Sequence, residues 1–304
     1  MKKITGKRLP KILVVCGPTA VGKSDLAVDL ALKFNGEVIS ADSRQVYTGL
    51  DIGSGKITIA EMKGVPHYLL NIADPKKARY TVDDFKRDGE TAIADIISRG
   101  KLPIICGGTG FYIDALVKGE IFPNVPPNQA LRKKLATKTA EALMKEITKL
   151  DPRRAKALDP YNKVRIIRAI EIARALGSVP KIKTKKKYDV VSIGLTLDRP
   201  KIHSRIHTRL LKRMDTGMVQ EIAKLHKKGV PWKRLEAFGL EYRYLALYLQ
   251  KKLSKEEMLA KLESEIVAYS KRQMQWFKMN KEIQWFKPGE NSRVVKVIKR
   301  CGIV

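Results

Sequence analysis

Hydrophobic positions along the 304-residue chain fall into two alternating patterns. Short, nearly continuous apolar runs lie at 12–16, 37–41, 102–106 and 190–197. Runs of this kind suit strands buried on both faces, as in a parallel sheet covered by helices. Between and after them come stretches with helical spacing, at 25–34 and 81–99, then one opened by Pro200 and a long one from Ser254 through Trp276. Thr81-Val82-Asp83-Asp84 and Ser254-Lys255-Glu256-Glu257 have the composition of capping boxes, which fixes two of the helix starts. Further strand-like stretches are expected at 66–72 and around Trp285. The alternation predicts an α/β fold, a parallel sheet core flanked by helices.

The pattern changes at Pro123-Asn124-Val125-Pro126-Pro127. From there to Tyr188 the period is helical and the composition strongly basic, including Arg132, Lys133, Lys134, Arg165, Arg168 and a cluster between Lys181 and Lys187. The expected organisation is a discontinuous core, 1–122 and 189–304, carrying an inserted all-helical subdomain at 123–188.

The first apolar run leads into Gly17-Pro18-Thr19-Ala20-Val21-Gly22-Lys23-Ser24, which has the G-x-x-x-x-G-K-[ST] spacing of a phosphate-binding P-loop. The glycines let backbone N–H groups curl around phosphate oxygens, Lys23 supplies charge, and the Ser24 hydroxyl suits Mg²⁺. A strand before and a helix after would set the anion at a helix N-terminus. P-loop NTPases carry a second acidic residue at the end of a neighbouring strand. Here the 102–106 run ends instead in Gly107-Gly108-Thr109-Gly110, which argues against ATP hydrolysis. The nearest carboxylate by motif logic is Asp42, in Asp42-Ser43-Arg44-Gln45 at the end of the second strand. It admits three roles: general base, metal ligand, or helix N-cap.

Charge narrows the partners. Lys and Arg number 61 against 31 Asp and Glu, a formal net charge of +30 that attracts polyanions, nucleic acid first among them. A lysine-rich solvated surface is the alternative. Arg205, Arg209 and Arg213 share one helix face, either solvated or with one arginine turned inward to a leaving diphosphate. Aromatic, basic patches at 232–234, 271–277 and 285–287 are candidates for base stacking, with core packing the favoured role for Trp285. Cys16, Cys106 and Cys301 form no C-x-x-C pair, and the four histidines show no ligand spacing. Met1–Pro10 is basic without the apolar core of a leader, and no apolar run reaches about eighteen residues, so a cytoplasmic protein without membrane spans is expected.

Several motifs in one order resemble a single family, the tRNA dimethylallyltransferases. They are GPTAVGKS (17–24), ISADSRQVYTGLDIGSGK (39–56), VPHYLLNIADP (65–75), GGTGFYIDAL (107–116), NKVRIIRAIEI (162–172) and KRQMQWF (271–277). The resemblance implies a P-loop NTPase-like fold and Mg²⁺-assisted prenyl transfer from dimethylallyl diphosphate to N6 of the tRNA adenosine just 3′ of the anticodon. It implies Asp42 as general base, with Thr19, Lys23, Ser24 and Arg209 on the diphosphate. It further implies tRNA contacts at Asp42, Ser43, Arg44, Gln45, Thr109, Arg132, Val164, Arg165, Ile166, Ile167, Arg168 and Lys271, and a monomer. Gly239-Leu240-Glu241-Tyr242 departs from the family's Gly-Tyr-(Lys/Arg)-Glu. The chain ends without the Cys/His zinc extension of eukaryotic relatives and begins without a transit peptide, which points to the bacterial type. The rival readings are a small-molecule P-loop enzyme, such as a nucleotide kinase or adenylate isopentenyltransferase, and a non-catalytic RNA-binding protein.

Overall fold

A computed structural model of the protein describes residues 9–77 and 79–303. The first eight residues, on which the expectation about a leader partly rests, lie outside the described residues. The described residues form eight strands: β1 (Lys11–Cys16), β2 (Gly36–Ser40), β3 (His67–Tyr68), β4 (Leu102–Gly107), β5 (Glu120–Ile121), β6 (Lys183–Thr184), β7 (Asp189–Leu195) and β8 (Gln284–Phe286). The helices up to the insertion are α1 (Lys23–Lys33), α2 (Ile59–Met62), α3 (Val82–Ser98) and α4 (Gly110–Val117). Those of the insertion are α5 (Gln129–Ala136), α6 (Ala140–Leu150), α7 (Pro152–Lys156) and α8 (Lys163–Leu176). The rest are α9 (Arg199–Asp215), α10 (Met218–Lys227), α11 (Trp232–Phe238), α12 (Leu240–Leu249), α13 (Lys255–Lys278) and α14 (Asn291–Arg300).

Six strands form one sheet in the order β3-β2-β4-β1-β7-β8, with every pairing parallel. Side chains alternate across a strand. On β1, Leu13 and Val15 therefore enter one buried cluster with α1, α9, α10, α12 and α13, while Ile12, Val14 and Cys16 enter a second with α3 and α4. Burial on both faces is why the strands read as continuous apolar runs rather than as alternations. Both capping boxes are made: Thr81 accepts from the Asp84 N–H and Ser254 from that of Glu257, with each acid answering the cap's own N–H.

The chain divides into two compact units, the described residues of Met1–Gly119 with Lys186–Val304, and Glu120–Lys185. The second has its own core, in which Leu135, Leu143, Ile147, Ile166 and Ile170 are fully or almost fully buried.

Two local expectations are corrected. The 66–72 stretch forms only the two residues of β3, because Leu69 and Asn71 take left-handed backbone conformations that no strand admits. The helical pattern to Tyr188 stops at Leu176, where Gly177 turns the chain and Pro180 follows; Lys183–Thr184 then pairs antiparallel with Glu120–Ile121.

Candidate active site

Two loops beyond the carboxyl ends of parallel strands make the floor of a cavity of about 830 Å³ in the first unit, the position where open α/β sheets bind ligands. The first follows β1. Gly22 takes a left-handed conformation and serves as N-cap to α1 with no side-chain cap, so the first-turn N–H groups remain available to an anion. Thr19, Ala20, Gly22, Lys23 and Ser24 line the cavity, whereas Gly17, Pro18 and Val21 are buried. The Lys23 ammonium donates to the Pro18 carbonyl at 2.6 Å. Burial, with help from the nearby Arg209, pulls its pKa below the ordinary lysine value.

The second loop follows β2. Asp42 accepts the Arg44 N–H at 2.8 Å and the Gln45 N–H at 3.3 Å on the same oxygen, Oδ1. Asp42 therefore does organise a turn, yet it also lines the cavity, and no protein donor meets its Oδ2 among the described residues. Ser43 gives its N–H to the Thr109 hydroxyl at 3.2 Å, joining this loop to the turn after β4. The Arg44 guanidinium bonds to the Phe238 carbonyl, and the Gln45 amide lies between the Ser40 hydroxyl and the Gly55 carbonyl.

Helix α9 supplies one wall. Of the arginine stripe, Arg205, Arg209 and Arg213 all line the cavity, so the stripe is not simply a solvated helix face. Arg213 is paired with the buried Glu241 at 3.2 Å. A Cβ added at Gly55 would lie 1.8 Å from the Arg213 guanidinium and 3.0 Å from that of Arg209, so a glycine is needed for both to cross that loop. Arg209 is wetted by the open cavity yet walled by protein; burial and then the neighbouring Arg213 push its pKa down to about 10. Burial pushes the Glu241 carboxyl up against the opposing pull of Arg213. The departure at 239–242 is thus structural: Glu241 holds Arg213, and the Tyr242 hydroxyl donates to Glu221 at 3.0 Å. Glu221 in turn accepts the N–H groups of Asp51, Ile52 and Gly53, which fixes the loop under the arginines.

Helix α13 supplies another wall with Tyr269 and Gln273. Burial and the Asp42 charge raise the Tyr269 phenol to about 12. Tyr269 was not singled out for the site by sequence; Gln273 entered only within the 271–277 patch and motif, and Glu241 only within the 239–242 departure. Lys271 is exposed on the same helix. Of the tryptophans offered for base stacking, Trp232 stacks on His226 with centroids 3.7 Å apart, and the Trp276 indole N–H donates to Asp114 at 3.0 Å.

In the second unit, Val164 and Arg165 are exposed, but Ile166 is fully buried, which removes its side chain from any RNA contact. Arg132 and Arg168 both bind the buried Glu171, with Arg132 at 2.8 Å, so the charge of each is already partly spent.

The fold and these two loops define a protein of the P-loop NTPase-like class in which the loop bearing Lys23 and the loop bearing Asp42 line one cavity. The family model described as IPP transferase matches residues 45–280, and the chain belongs to that family. It is 44% identical over 266 residues to tRNA dimethylallyltransferase 1 of Geotalea daltonii, covering 88% of this chain and 86% of that one. It is 41% identical over 274 residues to tRNA dimethylallyltransferase 2 of Citrifermentans bemidjiense, covering 90% and 88%. Among solved structures, the full-length tRNA isopentenylpyrophosphate transferase of Bacillus halodurans superposes with a TM-score of 0.74 at 34% identity, covering 96% of each chain. A eukaryotic dimethylallyltransferase acting on tRNA gives 0.78 at 27% identity, over 91% of this chain and 74% of that one. Among the described residues, no helix is long and apolar enough to cross a membrane.

Proposed function

We propose that the protein transfers a dimethylallyl group from dimethylallyl diphosphate to N6 of the adenosine 3′-adjacent to the anticodon in tRNAs, giving N6-isopentenyladenosine and diphosphate. The observation that carries this reading is the shared cavity: Lys23, Ser24, Arg209 and Asp42 line one space, and among the described residues no protein donor meets Asp42 Oδ2. The donor's diphosphate would rest on the first-turn N–H groups of α1, Lys23 and Arg209. The adenine, unstacked from its loop, would enter on the Asp42 side. As the N6–C1 bond forms and the C1–O bond breaks, Asp42 Oδ2 takes the N6 proton, and the electron pair leaves with the diphosphate. Fixed cations opposite that charge act by electrostatic preorganisation.

Mg²⁺ is part of the proposal. No group of three or more His, Cys, Asp or Glu side chains among the described residues could cage a metal. That donor set fits an ion carried chiefly by the diphosphate, since Mg²⁺ keeps its waters and takes few protein ligands. Ser24, which lines the cavity, would hold it, and the ion would neutralise charge on the departing diphosphate.

The insertion supports a macromolecular acceptor. It accounts for +10 of the net +30, a surface that a free nucleotide does not need. Phosphate contacts there would position the anticodon arm without reading sequence. Mass spectrometry of bulk tRNA nucleosides after incubation with the protein, Mg²⁺ and dimethylallyl diphosphate tests the reading. N6-isopentenyladenosine in the tRNA is expected; product on free adenylate alone would favour the small-molecule alternative.

A further inference from the structure

Two glycine-rich turns, one after β1 and one after β4, are joined by a single side chain from a distant helix. Gln273 of α13 accepts the Thr19 N–H on Oε1 at 2.9 Å and donates from Nε2 to the Gly108 carbonyl at 2.9 Å. Those partners fix which end of the amide is which, because the N–H needs an acceptor and the carbonyl a donor. The residue is buried, so neither bond is exchanged cheaply with water. The close approach is built in: a Cβ at Gly108 would stand 2.2 Å from Gln273 Nε2, and one at Gly110 would stand 2.3 Å from Trp276 Cδ1. Gln273 and Trp276 are three residues apart and so share a helix face, and the glycines of 107–110 are the groove that receives it.

The hydrogen bonds continue beyond the junction. Thr109, next to Gly108, accepts the Ser43 N–H at 3.2 Å, and Ser43 adjoins Asp42. An unbroken path therefore runs from the phosphate loop through Gln273 to the loop that bears the carboxylate. We propose that Gln273 is a positioning residue that sets the distance between the donor's diphosphate and the acceptor's base, acting through Thr19 on one side and Gly108–Thr109 on the other. This rests on the prenyl-transfer reading given above. Reacting atoms must be held within a fraction of an ångström, and a misplacement of about 1 Å costs on the order of 10²-fold in rate. The role differs from binding either substrate: Gln273 contributes register between two loops.

The test is single-turnover transfer at saturating tRNA and donor, with tRNA affinity and thermal stability measured alongside. Gln273→Met keeps the side chain's length and loses both hydrogen bonds; its saturated rate is expected to fall about 10- to 100-fold, with tRNA affinity unchanged. A variant that only melts earlier, while transferring at the parent rate once saturated, would show a structural role and overturn the proposal. If Gln273→Met does not fold, Gln273→Glu carries the same test, because it keeps the Thr19 acceptor and sets an oxygen against the Gly108 carbonyl. Gly108→Ala, which displaces the amide without removing it, should reproduce the rate loss and combine with Gln273→Ala at less than the product of the two single effects. Simple multiplication of those effects would also overturn the proposal. Asp42→Asn is run in parallel. If it matches the parent, the base assignment fails on its own; if it is slow while Gln273→Met is fast, Gln273 alone is misassigned.

Discussion

Arg213 is paired with Glu241 at 3.2 Å, whereas Arg209, one turn earlier on α9, has no carboxylate within ion-pair distance among the described residues. Two arginines on one face thus have different tasks. Arg209→Gln should weaken donor binding about 10- to 100-fold, the scale of a charge-assisted hydrogen bond. Arg213→Gln should instead lower stability by about 3 kcal/mol, because it strands a buried carboxylate. Donor titration and thermal melts on both variants separate the two.

The same arginine predicts a pH dependence. A cation is needed, and burial has already lowered Arg209 to about 10 and Lys23 below its ordinary value. Donor affinity of the free protein should hold through neutral pH and fall as pH rises towards 10, with a smaller fall in Arg209→Gln. An affinity profile from pH 7 upward checks the sign.

Asp42→Asn should fold and bind tRNA, because an amide oxygen can still accept from Arg44 and Gln45. Proton acceptance is lost, and the single-turnover rate should drop by about 10² to 10⁴. A rate within a few-fold of the parent would leave Asp42 as a turn-former only.

In the insertion, Arg165 and Arg168 are predicted to behave differently. Arg165 is exposed, so Arg165→Ala should lower the salt dependence of tRNA binding by a slope of roughly one with no loss of stability. Arg168 bonds Glu171 and the Val125 carbonyl, so Arg168→Ala should first lower the melting temperature. Binding across a salt series and a melt of each variant decide this.

Glu37, fully buried at the start of its strand, accepts from Arg99, Lys101 and Tyr68. The Arg99 hydrogen bond, against the cost of burial and aided by Lys101 and Tyr68, lowers its pKa to about 2. A lowered carboxyl stabilises the fold above the unfolded value of about 4.3, and that contribution is lost as pH falls through about 2. Its partners lie at the surface, and screening brings the expected cost of Glu37→Gln at pH 7 to about 1–2 kcal/mol. Melts of parent and variant should converge at low pH.

The sheet was legible because β1, β4 and β7 are buried on both faces and announce themselves as unbroken apolar runs. Capping boxes were legible because both partners lie within three residues. The turn after β1 was legible for the same reason: its strand, its glycines and its helix are contiguous in the chain. What sequence did not disclose depends on pairing across distance. Arg168 reads as a free cation until Glu171 is seen beneath it and Arg132 beyond it. Glu241 reads as a departure until it meets Arg213 from another helix, and Gln273 reads as a polar helix residue until two loops more than 150 positions away close on it. The 66–72 stretch failed for a different reason: apolar content foretells burial, and says nothing of the two left-handed residues that end β3.

The antiparallel pair Glu120↔Thr184 and Ile121↔Lys183 brings the ends of the insertion to neighbouring strand positions, within about 5 Å of one another. Some sixty residues are therefore spliced in at a gap that a tight hairpin turn could bridge. Replacing the insertion by such a turn would leave the pairings of β4 and β7 with β1 untouched, because none of their partners lies between positions 122 and 182.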